Sequence, residues 1–206
     1  VAKSPKAVSF AVVCATDTEC AAWCRSLQSI IDDSKPDRTF GVSLADLEAR
    51  YGRAVPPIFD TLATEIDKRA KLDGIFRLSG NADEIQKMVK EIDRGNVDQI
   101  DFSQRDPHLA GSLLKQWLRQ LPEPLLTFAN YEKFVFLQRY VVEHDLVLSS
   151  THLAALRELL AAIPARNYAV ARVLFALLRR VASESAVNRM SVMNIAIVFG
   201  PLCLYP

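Results

Sequence analysis

The chain has 206 residues, of which 50% are hydrophobic and 24% are charged, the composition of an ordinary globular protein. Its 25 basic and 24 acidic residues leave a formal net charge of +1, which excludes a chain-wide field for nucleic acid or an anionic membrane. No apolar run approaches the roughly 20 residues that a membrane span needs. Electrostatic recognition must therefore be local.

The N-terminus lacks both an initiator Met and the apolar core of a signal peptide, so we expect a fragment of a larger protein. Of the four cysteines, Cys20 and Cys24 lie four residues apart on a predicted helix, and Cys14 and Cys203 stand apart from them. This spacing matches no zinc ribbon or finger, so no metal site is predicted. Buried or half-buried thiols in a reducing compartment are the favoured interpretation, which predicts a cytoplasmic protein.

The first predicted elements form an N-terminal piece over residues 1–33. Residues 8–14 are β-branched and aromatic, which predicts a strand. Thr16 and Glu19 have the spacing of a capping box, and the helix that they begin carries Trp23 and Leu27 on its apolar side. Polar residues around Pro36 then predict a linker over residues 34–39.

From Phe40 onward the apolar spacing is helical, which predicts a single all-α domain over residues 40–206. Prolines and capping residues mark several of the helix starts. The helix after Asp106-Pro107 directs Leu109, Leu113, Leu114, Trp117, Leu118 and Leu121 inward. Three of the predicted helices start near Pro57, Asn81 and Pro107. Three more span residues 129–143, 150–162 and 167–183, and the last of these directs Tyr168 inward. A final apolar stretch, residues 193–199, ends at Gly200-Pro201.

A loop between two of these helices carries the first candidate functional residue. The run Gly74-Ile75-Phe76-Arg77-Leu78-Ser79-Gly80 sets one arginine among apolar residues between glycines. Ile75, Phe76 and Leu78 are expected to pin the loop to the core, while the glycines permit sharp turns. Arg77 would then point outward, and its planar fork suits phosphate oxygens. The alternative is an ordinary surface arginine.

Two further clusters carry polar groups. Lys115 and Arg119 lie four apart and so share one helix face, and their nearest acid is Glu123, beyond a proline. They form either a positive patch for an acidic partner or an incidental basic face. Asn194 is a lone carboxamide at the head of an apolar segment; it caps or bridges structurally, or it reaches a partner.

Together the three clusters resemble the Rho GTPase-activating domain family, from about Gly41 to the C-terminus. The resemblance rests on the order and separation of Gly-Ile-Phe-Arg at 74–77, of His108 followed by Leu114-Lys115, Leu118-Arg119 and Leu121-Pro122-Glu123-Pro124-Leu125, and of Asn194 ahead of Val198-Phe199-Gly200-Pro201. It implies a helical GTPase-activating domain that supplies a catalytic arginine in trans rather than an enzyme with its own substrate site.

The resemblance also implies a role for each candidate residue. Arg77 is the arginine finger, Lys115 meets the switch surface of the GTPase and Arg119 supports the finger loop. Asn194 contacts the GTPase, and Gly74, Phe76 and Gly80 shape the finger loop. The implied partner is a Rho-family small GTPase in its GTP-bound state, which itself holds GTP and Mg²⁺. No cofactor of the chain's own and no nucleic-acid partner are expected.

Residues 1–33 resemble the last strand and C-terminal helix of a pleckstrin-homology domain, with Trp23 as the helix tryptophan. The alternative is an N-terminal extension of the helical domain. A membrane phosphoinositide is expected to bind only through a complete pleckstrin-homology domain, which would recruit the protein to the membrane.

The chain departs from the family pattern at Leu202, where the family usually has Asn after Gly-Pro. A polar contact at the end of the binding face is thereby in doubt. The competing hypothesis is a binding module on the same fold that holds a GTPase without accelerating hydrolysis, because a fold does not fix a function. A third hypothesis is a helical scaffold that binds no GTPase.

Overall fold

The computed structural model describes residues 16–33, 38–95, 97, 100–143 and 150–206. The chain divides into two compact units, residues 1–36 and 37–206. The predicted strand over residues 8–14 lies outside the described residues, as does most of the predicted linker.

In the first unit, helix α1 spans Asp17–Asp33. Thr16 Oγ1 accepts a hydrogen bond from the Glu19 N–H at 3.2 Å, so the predicted cap is present. Cys20 and Cys24 are exposed, and the prediction that these thiols are buried is wrong. Trp23, on the predicted apolar side of this helix, is 50% exposed.

In the described part of the second unit all regular secondary structure is helical, as predicted. Its α-helices are α2 (Leu44–Tyr51), α3 (Pro57–Lys68), α4 (Ala82–Ile92), α5 (Leu109–Arg119), α6 (Tyr131–Glu143), α7 (Ser150–Ala161), α8 (Ala165–Ser183), α9 (Ser185–Asn188) and α10 (Val192–Cys203). A 3₁₀ turn, Phe128–Asn130, precedes α6. None of the described helices combines the length and the apolar character that crossing a membrane requires.

Helix α5 lies in the core, in contact with α3, α4 and α10. All six residues predicted to face inward from it are at most 4% exposed. Trp117 packs on Phe59 of α3 with ring centroids 5.4 Å apart. Because α5 is fixed on several sides, side chains on its remaining face have a defined position.

Helix starts follow their capping residues. Asn81 Oδ1 accepts hydrogen bonds from the N–H groups of Asp83 and Glu84, as expected of an N-cap. Helix α2 was not predicted as a separate helix, although Ser43 caps it by accepting from the Asp46 N–H at 3.1 Å. Ser43 followed three residues later by an acid was the available signal.

Helix α10 continues through Gly200-Pro201 to Cys203, so the predicted end at Gly200-Pro201 is wrong. Pro201 has no N–H to donate to the carbonyl four residues earlier, so continuing the helix through it costs one helical hydrogen bond. Continuing the helix buries Leu202 and Cys203, which are 6% and 3% exposed. The gain from apolar burial outweighs the lost bond.

Two single residues also differ from prediction: Tyr168 and Leu78 are 45% and 47% exposed rather than inward. Tyr168 lies near the start of α8, between the buried Asn167 and Val170, on a face of the helix that does not enter the core. An open apolar groove of ≈ 710 Å³ runs between α6, α8 and α10, lined in part by Val192, Ala196 and Cys203. Burial raises the pKa of the Cys203 thiol to about 12.

Candidate functional site

Backbone hydrogen bonds hold the loop over residues 74–80, here called the Arg77 loop, at both of its ends. The N–H of Gly74 donates to the Asn188 carbonyl at 3.0 Å. The Gly74 carbonyl in turn accepts from the N–H groups of Arg77 and Leu78 at 2.9 and 2.8 Å, which closes a tight turn. At the far end, the Gly80 N–H donates to Ser112 Oγ of α5 at 3.0 Å. The loop is therefore tied to both α5 and the segment before α10.

Phe76 is the buried anchor of this loop. Its side chain is 2% exposed, and its ring meets the Phe199 ring edge-on with centroids 4.7 Å apart. On α5, Gly111 leaves room for the ring, because a Cβ there would lie 3.3 Å from Phe76 Cδ1. The backbone of Phe76 has a φ of 67°, the left-handed region that a bulky residue occupies only under constraint. Burial of the ring fixes the direction in which the next residue leaves the core.

Both glycines of the loop stand where a Cβ would come too close to a neighbouring atom. Gly74 has a φ of +69°, and a Cβ on it would lie 2.8 Å from two carbons of the Leu78 side chain. A Cβ on Gly80 would lie 3.2 Å from Leu109 Cα, which is backbone and cannot yield. Ile75 is buried, as predicted, at 3% exposed. Any larger residue at either glycine would displace the loop.

Arg77 follows the buried anchor and points its charge into solvent. Its side chain is 54% exposed, and one guanidinium nitrogen lies 4.0 Å from Asp73 Oδ1. At that separation and exposure the pair is weak, because water screens both charges. The guanidinium is accordingly free to leave Asp73 for a stronger anionic ligand.

Lys115 lies beneath the Arg77 loop. Its Nζ donates a hydrogen bond to the Phe76 carbonyl at 2.6 Å, across 39 residues of sequence. The pKa of Lys115 is lowered from its ordinary value, first by burial of the amino group and second by the charge of Arg119. Arg119, one turn further along α5, is exposed and makes no ion pair with a described residue. The hydrogen bond to the loop thus comes from Lys115, whereas the resemblance implied that Arg119 supports the loop.

Asn194 lies in the first turn of α10. Its N–H donates to Ser191 Oγ at 3.2 Å, and its Nδ2 donates to the Arg189 carbonyl at 3.1 Å. The side chain is exposed, and Oδ1 accepts no hydrogen bond from a described residue. The carboxamide is therefore held by its nitrogen while its oxygen stays available to a partner.

Sequence analysis assigned no role to three residues of the site, which are Asp73, Asn188 and Arg189. Asn188 is fully buried and donates through Nδ2 to the carbonyls of Ala70 and Val181, both at 2.7 Å, while its Oδ1 accepts from the Met190 N–H. Asp73 Oδ1 lies 3.7 Å from Arg189 Nε as well as near Arg77. Asp73 precedes Arg77 by four residues, a spacing that could have indicated the pair; nothing local indicates the role of Asn188.

The structure thus connects all four predicted contact residues. Phe76 links Arg77 to Lys115, the next turn of α5 carries Arg119, and Arg189 links Asn194 to Asp73. Asp73 pairs with both Arg77 and Arg189, and Lys115 adds a third cation beneath the loop, an excess of positive charge that suits phosphate oxygens or an acidic surface. In the described part of the chain no group of His, Cys, Asp and Glu side chains could hold a metal ion.

The chain matches known proteins over most of its length. Residues 56–206 match the RhoGAP domain. Rho GTPase-activating protein 24 of Homo sapiens is 34% identical over 206 residues, an alignment that covers 96% of this chain but 26% of that protein. Rho GTPase-activating protein 8 of Mus musculus is 35% identical over 173 residues, covering 83% of this chain and 39% of that protein. The chain thus spans well under half the length of these relatives.

Among solved structures, human Rho GTPase activating protein 15 superimposes with a TM-score of 0.76 at 28% identity, covering 86% of this chain and 83% of that one. The BH domain of GRAF, the GTPase regulator associated with focal adhesion kinase, superimposes with a TM-score of 0.60 at 23% identity, over 72% of this chain and 78% of that one. The second likeness concerns the fold alone.

Proposed function

This chain belongs to the RhoGAP domain family, and from that premise we propose that it accelerates GTP hydrolysis by a Rho-family small GTPase, with Arg77 inserted into the active site of the GTPase. The proposal rests above all on one observation: a half-exposed arginine directly follows a buried phenylalanine, in a loop that hydrogen bonds tie to Lys115, Ser112 and Asn188. A side chain positioned in this way needs little reorganisation when it meets the phosphates.

The catalytic effect of Arg77 is electrostatic. As the γ-phosphoryl group transfers to water, negative charge shifts among the phosphate oxygens, and a guanidinium supplied in trans neutralises it. Such an arginine accelerates hydrolysis by about 10³–10⁵, or roughly 4–7 kcal/mol of the barrier. Because the charge develops in the transition state, the stabilisation lowers the barrier rather than merely tightening binding.

The neighbouring residues have supporting roles in this proposal. Lys115 holds the carbonyl of Phe76 and so positions the loop, in addition to contributing positive charge to the contact face. Arg119 and Asn194 contribute to that face a guanidinium and a carboxamide oxygen that no described residue pairs with. Gly74, Phe76 and Gly80 maintain the shape of the Arg77 loop. Each of these residues acts on the GTPase surface or on the loop, and Arg77 alone acts on the phosphates.

The partner is expected in its GTP-bound state, with GTP and Mg²⁺ held by the GTPase and none by this chain. A cytoplasmic setting remains our expectation. Recruitment to the membrane through a phosphoinositide would require a complete pleckstrin-homology domain, and the pleckstrin-homology character of residues 1–33 stays a prediction.

The second candidate function is a binding module that holds the GTPase without accelerating hydrolysis. The burial of Leu202 is relevant here, because this side chain offers no polar contact to a partner where the family usually has Asn. The presence of Arg77 on an intact loop favours catalysis.

Single-turnover GTP hydrolysis by a panel of purified Rho-family GTPases would decide between these functions. Each GTPase is measured alone, with the chain, and with its Arg77→Ala variant. We expect a large acceleration that the variant loses while it still binds the GTPase. Binding without acceleration by the unaltered chain would instead establish the non-catalytic module.

A further inference from the structure

Asn188 ends α9, is fully buried and uses both ends of its carboxamide. Its Nδ2 donates to the carbonyls of Ala70 and Val181, each at 2.7 Å. Its Oδ1 accepts from the Met190 N–H, also at 2.7 Å. An amide nitrogen has two hydrogens to donate, so these bonds use both of them. One side chain thus joins the segment after α3, the last turn of α8 and the turn before α10.

The main chain of Asn188 holds the beginning of the Arg77 loop. The Asn188 carbonyl accepts from the N–H of Gly74, the first residue of that loop, at 3.0 Å. The carbonyl of Gly74 in turn accepts from the Arg77 N–H at 2.9 Å. Two successive hydrogen bonds therefore connect the backbone of Asn188 with the backbone of the arginine that is proposed to act on the phosphates.

The residue after Asn188 has an uncommon backbone conformation that its own contacts hold only weakly. Arg189 has a φ of 60°, in the left-handed region that residues other than glycine seldom adopt. Its carbonyl accepts from Asn194 Nδ2 at 3.1 Å, and its Nε lies 3.7 Å from Asp73 Oδ1. Both contacts are exposed, so water competes for them. The bonds of Asn188 are buried, where an unpaired donor or acceptor is far more costly, so Asn188 holds this turn in place.

We propose that Asn188 is a positioning residue for the reaction, which fixes where the Arg77 loop begins without itself touching the GTPase or the nucleotide. Lys115 and Ser112 hold the middle and the end of the loop from α5, and Asn188 holds its beginning. This proposal rests on the proposed function, since the position of Arg77 affects a rate only if Arg77 acts on the phosphates. A displacement of about 1 Å at a catalytic group can cost about 100-fold in rate.

Asn167 offers a matched control, because it is a second buried carboxamide with a different connection. It is 5% exposed, and its Nδ2 donates to the Leu125 carbonyl at 3.0 Å. That bond joins α8 to the segment before α6 rather than to the Arg77 loop. Loss of either carboxamide should lower the free energy of unfolding, because each leaves buried groups without a partner. Only the loss of Asn188 should also change the kinetics.

The test compares Asn188→Asp and Asn188→Ser with Asn167→Ser. Aspartate keeps the size of the side chain but loses the amide donors, whereas serine keeps one donor and one acceptor in a smaller volume. Thermal unfolding identifies a temperature at which each variant is folded, and kcat and KM are measured there with a GTP-loaded Rho-family GTPase. Amide hydrogen exchange at Gly74 and Arg77 is measured on the chain alone. If Asn188→Asp does not fold, the two serine variants decide the result.

We expect Asn188→Ser to lower kcat by about tenfold or more at nearly unchanged KM and to speed exchange of the Gly74 and Arg77 amides, with a larger fall for Asn188→Asp. Asn167→Ser should lower the unfolding temperature but leave kcat, KM and those amides unchanged.

An unchanged kcat in the folded Asn188 variants, an equal fall in kcat for Asn167→Ser, or a rise in KM alone would each overturn the positioning role. If the unaltered chain accelerated no GTPase, the proposed function would fall. Faster exchange of the two loop amides in Asn188→Ser, and not in Asn167→Ser, would even then establish that Asn188 holds the loop.

Discussion

Two turns of this chain hold a residue other than glycine at the same left-handed φ of 67°, Phe76 in the Arg77 loop and Thr127 after α5. Both side chains are buried, at 2% and 4% exposed. Thr127 keeps its contacts local: its N–H donates to the Pro124 carbonyl and its Oγ1 accepts from Asn130 Nδ2. Phe76 is instead held by distant residues, namely Lys115 and Phe199.

The residue that follows each turn separates their roles. Arg77 enters solvent as a cation, whereas Phe128 turns back so that its ring meets the Tyr205 ring at 5.5 Å. An unusual backbone conformation is therefore not by itself a sign of function. What indicates function at the Arg77 loop is that long-range contacts hold the turn in place while the next side chain, Arg77, is exposed and only weakly paired.

The largest expected effect is that of Arg77→Lys. Lysine keeps the charge but loses the planar fork of donors, so we expect stimulated hydrolysis to fall by about 10³ or more, nearly as far as with alanine. Thermal unfolding should not change, because Arg77 is half exposed. Single-turnover hydrolysis measures the loss, and near-full activity of the lysine variant would refute the role of the fork.

The next effect concerns stability. Phe76→Ala removes a fully buried ring and should reduce the free energy of unfolding by about 3–5 kcal/mol. At the other turn, Phe128→Ala should change it by less than about 1 kcal/mol, since the ring is 44% exposed. Urea unfolding compares the two. Equal losses would mean that both turns depend alike on their aromatic residues.

Lys115→Met tests whether Lys115 positions the Arg77 loop for catalysis rather than stabilising the fold. The substitution keeps the length of the side chain but removes the donor to the Phe76 carbonyl, and we expect stimulated hydrolysis to fall about 10- to 100-fold. Thr127→Val is the counterpart, because it leaves the buried Asn130 Nδ2 without its acceptor. That variant should lose about 1–3 kcal/mol of stability and no activity. If Lys115→Met retained full activity, loop positioning by Lys115 would be excluded.

Asp73→Asn should have the smallest effect. Within the described part of the chain, Asp73 is the carboxylate that pairs with Arg77 and Arg189, so the substitution frees both guanidinium groups. We expect kcat/KM to rise by less than about fivefold, because exposed pairs at such distances are weak. Measurement at low and high salt should show a steeper salt dependence for the variant. A fall in kcat/KM would mean that Asp73 instead orients the arginine productively.

Sequence alone predicted the features that depend on local pattern. The buried stripe of α5 and the Asn81 cap are present as predicted, because helical periodicity and capping act within a few residues. The continuation of α10 through Pro201 was missed, since burial of Leu202 and Cys203 overrode a local signal.

In the candidate site, too, the features set by local pattern could be predicted and those set by tertiary packing could not. Arg77, Lys115 and Asn194 were indicated by residue type and spacing, but their connections were not. The hydrogen bond from Lys115 to Phe76 spans 39 residues, and that from Gly74 to Asn188 spans the domain. Such contacts depend on tertiary packing, so no local pattern could reveal which cation supports the loop.

Gly111 has a consequence for the evolution and engineering of this domain. The glycine weakens α5 by roughly 1 kcal/mol relative to alanine, yet it is the space into which the Phe76 ring fits. A single added methyl group would press on that ring from the buried side of α5. The Phe76 ring would have to move by a few tenths of an ångström to admit it. If the proposed function holds, Gly111→Ala should therefore lower stimulated GTP hydrolysis through the Phe76 ring, without altering any side chain of the contact face.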